Sequence, residues 1–214
     1  MKKYWDNFFE KKEEIKVDVN TVISSLYSKL EEDVVRIDIG TDITQFIDDI
    51  IKLCSDFRFK TFVKTGFILP VIHFLDNENI QENEYRVYVQ GLLTKTGFVV
   101  FTKEEVVKEF SAIFDYLFEN ELDEIFTNEA TENYLKKVEE KNYRLSQEIT
   151  SFYDMHDIKM ILVNLLKNNK SIKNISSIVE KICAVNTENI NKNNYDKLFY
   201  RPISVERITK MFCE

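Results

Sequence analysis

The sequence is short of structure breakers: four glycines and two prolines in 214 residues. So few breakers imply long regular elements joined by few tight turns. The glycines fall at positions 40, 66, 91 and 97 and form no GxGxxG, GxxxxGK[ST] or GxSxG motif. That leaves no phosphate-cradling loop and no nucleophile elbow. Cys54, Cys183 and Cys213 are odd in number, widely spaced and without a CxxC pair, which argues against a disulfide framework and against a zinc knuckle. The two histidines, His73 and His156, supply no HxxxH spacing, so a zinc site lacks its ligand set. Cys54 falls on an apolar helical stripe, where nothing activates a thiolate. No apolar run exceeds four residues, too short for a membrane-crossing helix. The opening MKKYWDNFFEKKEE lacks the uninterrupted apolar stretch of a signal peptide. These absences predict a cytoplasmic chain with no metal, no cofactor and no catalytic residue to nominate.

What is present argues for a folded core. Hydrophobic residues make up 44% of the chain, and 17 of them are Phe. The net charge is −8, which disfavours nucleic acid and anionic lipid as partners, because both are bound by Lys and Arg neutralising phosphate.

Periodicity sets the expected elements. Helices are read at 4–14 and 19–31. VVRIDIG (34–40) alternates, with Val35, Ile37 and Ile39 on one face and Arg36 and Asp38 on the other. Ile43, Phe46, Ile47, Ile50, Cys54 and Phe57 recur at helical spacing over 42–64, with Ile47, Ile50 and Phe57 expected in the core. Asp42 and Gln45 read as a capping box for this helix, and Gly66 as its end. Strands are expected at 67–75, 85–91 and 97–101, with a polar turn at Thr94–Thr96 between the last two. Thr102 and Glu105 cap a helix over 104–119.

The order β-α-β-β-β-α predicts a thioredoxin-like α/β sheet domain without redox cysteines, followed by an all-α helical domain. Its helices are expected at 121–126, 131–141, 145–150 and 157–168, and then from Ser171 with Ile172, Ile175, Ile178, Val179 and Ile182 as its stripe. Residues 186–194 read as an Asn-rich linker before a last helix near 204–212. The domains are accordingly 1–33, N-terminal helices; 34–110, the α/β part; 111–185, the helical part; and 186–214, linker and C-terminal helix.

The polar stretch between two strands, DNENIQENEY, invites a calcium reading. Counted from Asp76, however, the sixth and twelfth places hold Gln81 and Val87, not the Gly and Glu of an EF-hand. A solvated connection is the better reading. The helix pair 157–184 has the outline of a helix-turn-helix, and Lys173, Asn174 and Lys181 could reach base edges. A DNA-binding regulator is therefore the alternative function, opposed by the net acidity.

Two stretches carry a family resemblance. LPVIHFLDNENIQENEYRVYVQG (69–91) resembles the signature of the cytoplasmic region of the FHIPEP family, the export-gate proteins of flagella and type III secretion. Pro70, Asp76, Asn77, Asn83, Glu84, Tyr85 and Gly91 fit it, while His73 and Leu75 stand where the family tends to have arginines. MILVNLLKNNKSIKNISSIVEKICA (160–184) is similar to the family's helix, Ser-Ile turn and helix. Ser171 and Ile172 match there; Lys173 and Asn174 replace the usual Arg-Asp. RIDIG (36–40) and GFVVFTKEEVV (97–107) fall in register, so the resemblance covers about 18–185.

The resemblance implies a non-enzymatic protein-interaction module in bacterial protein transport. Its partners would be export-apparatus components or further copies of itself, and the signature residues would be structural. Asp76, Asn77 and Asn83 would serve turn geometry and backbone hydrogen bonding. The family's membrane part is not expected here. Between Gly91 and Gly97, where the family inserts a subdomain that helps dock export chaperones, this sequence has only LLTKT.

Overall fold

The computed structural model describes residues 33–100, 102–193 and 200–213; the helices read at 4–14 and 19–31 lie outside them. A four-stranded mixed sheet in the order β2-β1-β3-β4 is built from β1 (Val35–Ile39), β2 (Ile72–Asp76), β3 (Glu84–Val89) and β4 (Leu92–Phe98). β1 runs parallel to β2 and antiparallel to β3, and β3 and β4 form an antiparallel hairpin. The parallel pair needs a crossover, which is α1 (Ile47–Thr65), entered through a 3-10 turn at Thr44–Phe46.

The alternation in β1 is as read. Val35, Ile37 and Ile39 are buried, opposite Val89, Val87 and Tyr85 of β3. The other face carries Arg36, which bonds Asp38 at 3.0 Å and lies 4.3 Å from the Tyr88 ring centre. Helix α2 (Lys103–Asn120) covers the buried face, its Phe110 against Phe74 and Tyr85 and its Phe114 against Phe57 of α1. Ile50 is fully buried, whereas Ile47 and Phe57 are partly buried against the core. Thr102 caps α2 as expected, its hydroxyl accepting from the Glu105 amide at 3.3 Å.

The helical part consists of α3 (Leu122–Ile125), α4 (Asn128–Lys141), α5 (Tyr143–Phe152), α6 (Met155–Lys167), α7 (Ile175–Asn193) and α8 (Val205–Cys213). α4 and α5 pack on α7, and α6 packs on α8. The stripe Ile158, Ile161, Leu162, Leu165 and Leu166 is buried throughout. Residues 33–214 form one compact unit with one continuous core. The 110/111 boundary expected between sheet and helical parts therefore falls inside α2, a helix that both parts share.

Four readings are corrected. The second strand begins at Ile72, not at Phe67. The Ile68 amide is bonded to the Tyr134 hydroxyl, and the Leu69 carbonyl accepts from Arg58 at 3.0 Å, so both lie outside the ladder. The last hairpin turns at Gln90–Gly91, not at Thr94–Thr96. Both turn residues have positive φ, 48° and 76°, and Val89 faces Leu92; two such residues give the twist that a two-residue hairpin needs. LLTKTGF is thus the strand itself, with the register shift of a bulge after Val87. Of the linker expected at 186–194, residues 186–193 are the continuation of α7, held in place by a buried Asn186. Gln45 does reach back to Asp42, but it donates to the backbone carbonyl at 2.7 Å, while the Asp42 amide is bonded to the Glu82 carbonyl. No reciprocal capping box forms.

Candidate functional site

The polar connection 77–83 is tied to the sheet by its backbone. The Asn77 amide donates to the Ile39 carbonyl, and the Gly40 and Asp42 amides donate to the Glu84 and Glu82 carbonyls. Asn77 also bonds the buried Asp38 carboxylate at 2.9 Å, and its own side-chain oxygen accepts from the Asn79 amide. Asn83 spans to β4's end, donating to the Val99 carbonyl at 3.3 Å while the Val99 amide returns the bond. Glu84 accepts from Arg86 at 2.6 Å and from the Gln81 amide at 3.1 Å; these two bonds hold its carboxyl below the ordinary carboxylate value. Asp76 is exposed at the end of β2, its backbone in register with Ile39. Tyr85 is buried and donates to Glu109 at 2.5 Å; burial, then that bond, raises its phenol well above the usual range. All of this is the bonding of a connection that closes one end of a sheet. Pro70, half-buried, lies in the same irregular lead-in to β2 as Leu69.

Ser171 and Ile172 stand at a second junction. Helix α1 ends at Gly66 in the left-handed conformation, φ 81°, which favours glycine. A Cβ on Gly66 would also lie 2.7 Å from the Lys173 backbone nitrogen. The Thr65 carbonyl, one of the oxygens a helix end leaves without a partner, accepts from the Ile172 amide at 2.7 Å and from the Ser171 hydroxyl at 3.1 Å. The Ile172 side chain is fully buried. The Gly66 carbonyl is taken by Tyr134 at 2.8 Å, and Phe67, Phe126 and Tyr134 stack in series with ring centres 4.9 and 5.7 Å apart. The connection between α6 and α7 thus caps α1.

A third cluster was not legible in the sequence. Asn186, buried in α7, donates to the Tyr153 hydroxyl and the Ile182 carbonyl, each at 2.9 Å. Its oxygen accepts from the Ile203 amide at 3.1 Å and the Tyr200 hydroxyl at 2.9 Å. Burial pushes the Tyr153 phenol up to about 12. Asn186 joins α7, the end of α5 and the segment leading to α8.

Chemistry has little to work with. Among the described residues, no group of three or more His, Cys, Asp or Glu is placed to hold a metal. His73 pairs with Asp33 at 2.8 Å, and His156 is exposed. Of the base-reading candidates, Lys173 bonds the Val63 carbonyl and Lys181 lies 4.6 Å from the Phe212 ring centre. The surface offers contact instead. Ile51, Phe59, Phe62 and Val63 of α1 are exposed, as are Val71, just before the edge strand β2, and Leu75 within it. A groove of about 470 Å³ runs between α1 and β2.

Comparison with known families identifies the segment that builds half of this structure. The FHIPEP family pattern matches residues 94–199. Residues 94–199 belong to the FHIPEP family. The Ser171–Ile172 junction and GFVVFTKEEVV lie within the FHIPEP match; the 69–91 stretch lies outside it. No curated protein matches the chain significantly by sequence.

Several solved structures have a similar fold. The Chlamydia pneumoniae CdsV and CdsO protein complex aligns at TM-score 0.63 and 10% identity over 84% of this chain and 64% of that one. The nonameric EPEC SctV-C aligns at 0.59 and 13% over 83% and 64%. The Shigella flexneri MxiA protein aligns at 0.54 and 18% over 72% and 57%. The chain spans a little under two thirds of the length of these solved chains, and at such identities the likeness is one of fold.

Proposed function

We propose that this chain is a non-enzymatic protein-interaction module of the export-gate type, working in type III secretion or flagellar export. The FHIPEP match over 94–199 carries the reading, and the shared sheet-and-helix fold of CdsV, SctV-C and MxiA supports it. The SctV-C structure is described as nonameric and the CdsV structure as a complex with CdsO. Self-association and protein partners are accordingly the interactions proposed for this chain, inside the cell. The signature residues Pro70, Asp76, Asn77, Asn83, Tyr85, Gly91, Ser171 and Ile172 serve architecture: they fix the sheet connection and cap α1.

The two-residue hairpin at Gln90–Gly91 occupies the place where the family resemblance implies an inserted subdomain. Export chaperones that dock through that insert are not partners of this chain. Deleting the gene in its native cell tests the function. The account expects the profile of exported proteins in the medium to change, with restoration by the intact gene; an unchanged profile contradicts it.

A further inference from the structure

Helices α1 and α2 run side by side in the same direction. Their first turns are joined by Asp49 and Lys103 at 2.7 Å, and their middles by Phe57 and Phe114 with ring centres 5.6 Å apart. Toward their C-terminal ends a cleft of about 720 Å³ opens between them, within the range of about 300–1,000 Å³ usual for ligand pockets. Phe57, Phe118, Leu122 and Leu166 give it an apolar lining. Its walls are pinned. The end of α1 is held by Ser171, Ile172 and Tyr134, and that of α2 by the Tyr116–Glu121 bond at 2.6 Å. A cleft with fixed walls is preorganised, which lowers the cost of binding.

The two walls carry opposite charge at the same spacing. Lys60 and Lys64 of α1 and Asp115 and Glu119 of α2 all line the cleft. Each pair is four residues apart, ~6 Å along its helix. Among the described residues none of these four side chains has an ion-pair or hydrogen-bond partner. The third lysine of the cleft, Lys167, is taken by Asp123 at 2.6 Å. Thr61 lines the cleft too and is 8% exposed, yet its hydroxyl has no partner among the described residues. One turn on, the Thr65 hydroxyl is already spent on the Thr61 carbonyl and the Phe67 amide. A buried hydroxyl is normally bonded, so Thr61 keeps a donor for an incoming group.

We propose that the α1–α2 cleft binds a short amphipathic helix of a partner protein, with carboxylates along one flank and cationic side chains along the other. Its apolar row sits over Phe57, Phe118 and Leu122. Its carboxylates face Lys60 and Lys64, the Thr61 hydroxyl donating to one of them, and its cationic flank faces Asp115 and Glu119. Walls of opposite sign select by complementarity; a uniformly acidic or basic helix meets like charge on one side. The proposal rests on the interaction-module reading for its partner being a protein.

The test uses the full chain and three labelled designed helices of about four turns. Each carries one row of Leu; the flanks are Glu and Lys in the first, Glu on both sides in the second, and Lys on both sides in the third. Either flank order serves in the first, because the helix can lie in either direction along the cleft. Fluorescence anisotropy is expected to show the mixed helix binding about tenfold more tightly than the other two. The variant Lys60→Glu, Lys64→Glu should change the order and bind the Lys-flanked helix best, with the parent's cooperative melt, since both lysines are exposed. Thr61→Val, which keeps the shape, should weaken the mixed helix about threefold.

Equal affinity for the three helices, no binding, or binding that neither variant moves overturns the proposal. So does self-association of the parent that Lys60→Glu, Lys64→Glu abolishes, which assigns the cleft to a second copy. Equally tight binding of the free dipeptide Glu-Lys assigns it to a small solute and overturns the proposal as well. If the helices fail to bind while export components still co-purify with the parent, this assignment falls and the module reading stands.

Discussion

The Ser171 hydroxyl donates to the Thr65 carbonyl at 3.1 Å across 106 residues of sequence. With the Ile172 amide on the same oxygen, it makes the end of α1 depend on the connection between α6 and α7. Replacing Ser171 by Ala should cost about 1 kcal/mol, the usual net worth of one hydrogen bond. Ile172→Ala, which also empties a buried site, should cost about 2–5 kcal/mol. Urea melts of both variants measure this, and equal stabilities for parent and Ile172→Ala would dismiss the junction.

Asn186 is the most heavily bonded buried side chain among the described residues. Asn186→Ala strips partners from the Ile203 amide and from Tyr153 and Tyr200. The expected loss is about 2–3 kcal/mol, in line with leaving buried polar groups unsatisfied. Hydrogen exchange should show the Ile203 amide exchanging much faster than in the parent. Unchanged protection at Ile203 would contradict the network.

The three thiols should separate by rate. Cys54 and Cys183 are buried, and burial raises both thiols, Cys183 to about 12. Cys213 is partly exposed. Because the thiolate is the reactive form, a disulfide reagent at neutral pH should modify Cys213 first and the other two only as the protein opens. Rapid modification of all three in the folded protein would be inconsistent with this core.

Acid should weaken the connection between β2 and β3. Glu84's carboxyl is held below its ordinary 4.5 by the Arg86 bond, then by the Gln81 amide. The folded state therefore binds fewer protons than the unfolded one in this window. Its contribution is present above pH 4.5 and is lost as pH falls toward the lowered value. Glu84→Gln should be less stable than the parent at neutral pH, with the gap closing in acid. A gap that widens below pH 4.5 would reverse the sign and the argument.

Strong periodicity was legible in the sequence, and local polarity misled. The stripe Ile158, Ile161, Leu162, Leu165 and Leu166 placed α6 because a continuous apolar row has one helical solution. Thr94–Thr96 were read as a turn because they are polar; in β4 they lie on an edge strand, where polar side chains cost nothing. Residues 186–194 read as a linker for their Asn content, although the first of those asparagines is buried by partners 33 residues before it and 17 after it. No local signal carries such a network. Ser171 and Ile172 were visible as a motif, but their role was not, since it depends on the far end of α1.

The most direct measurement of the central claim is recovery of partners. The tagged full-length chain, purified from its native cells with detergent-solubilised membranes, should bring down export-apparatus proteins above an untagged control, identified by mass spectrometry. If the intact, folded chain recovers none of them, the export-module account is contradicted.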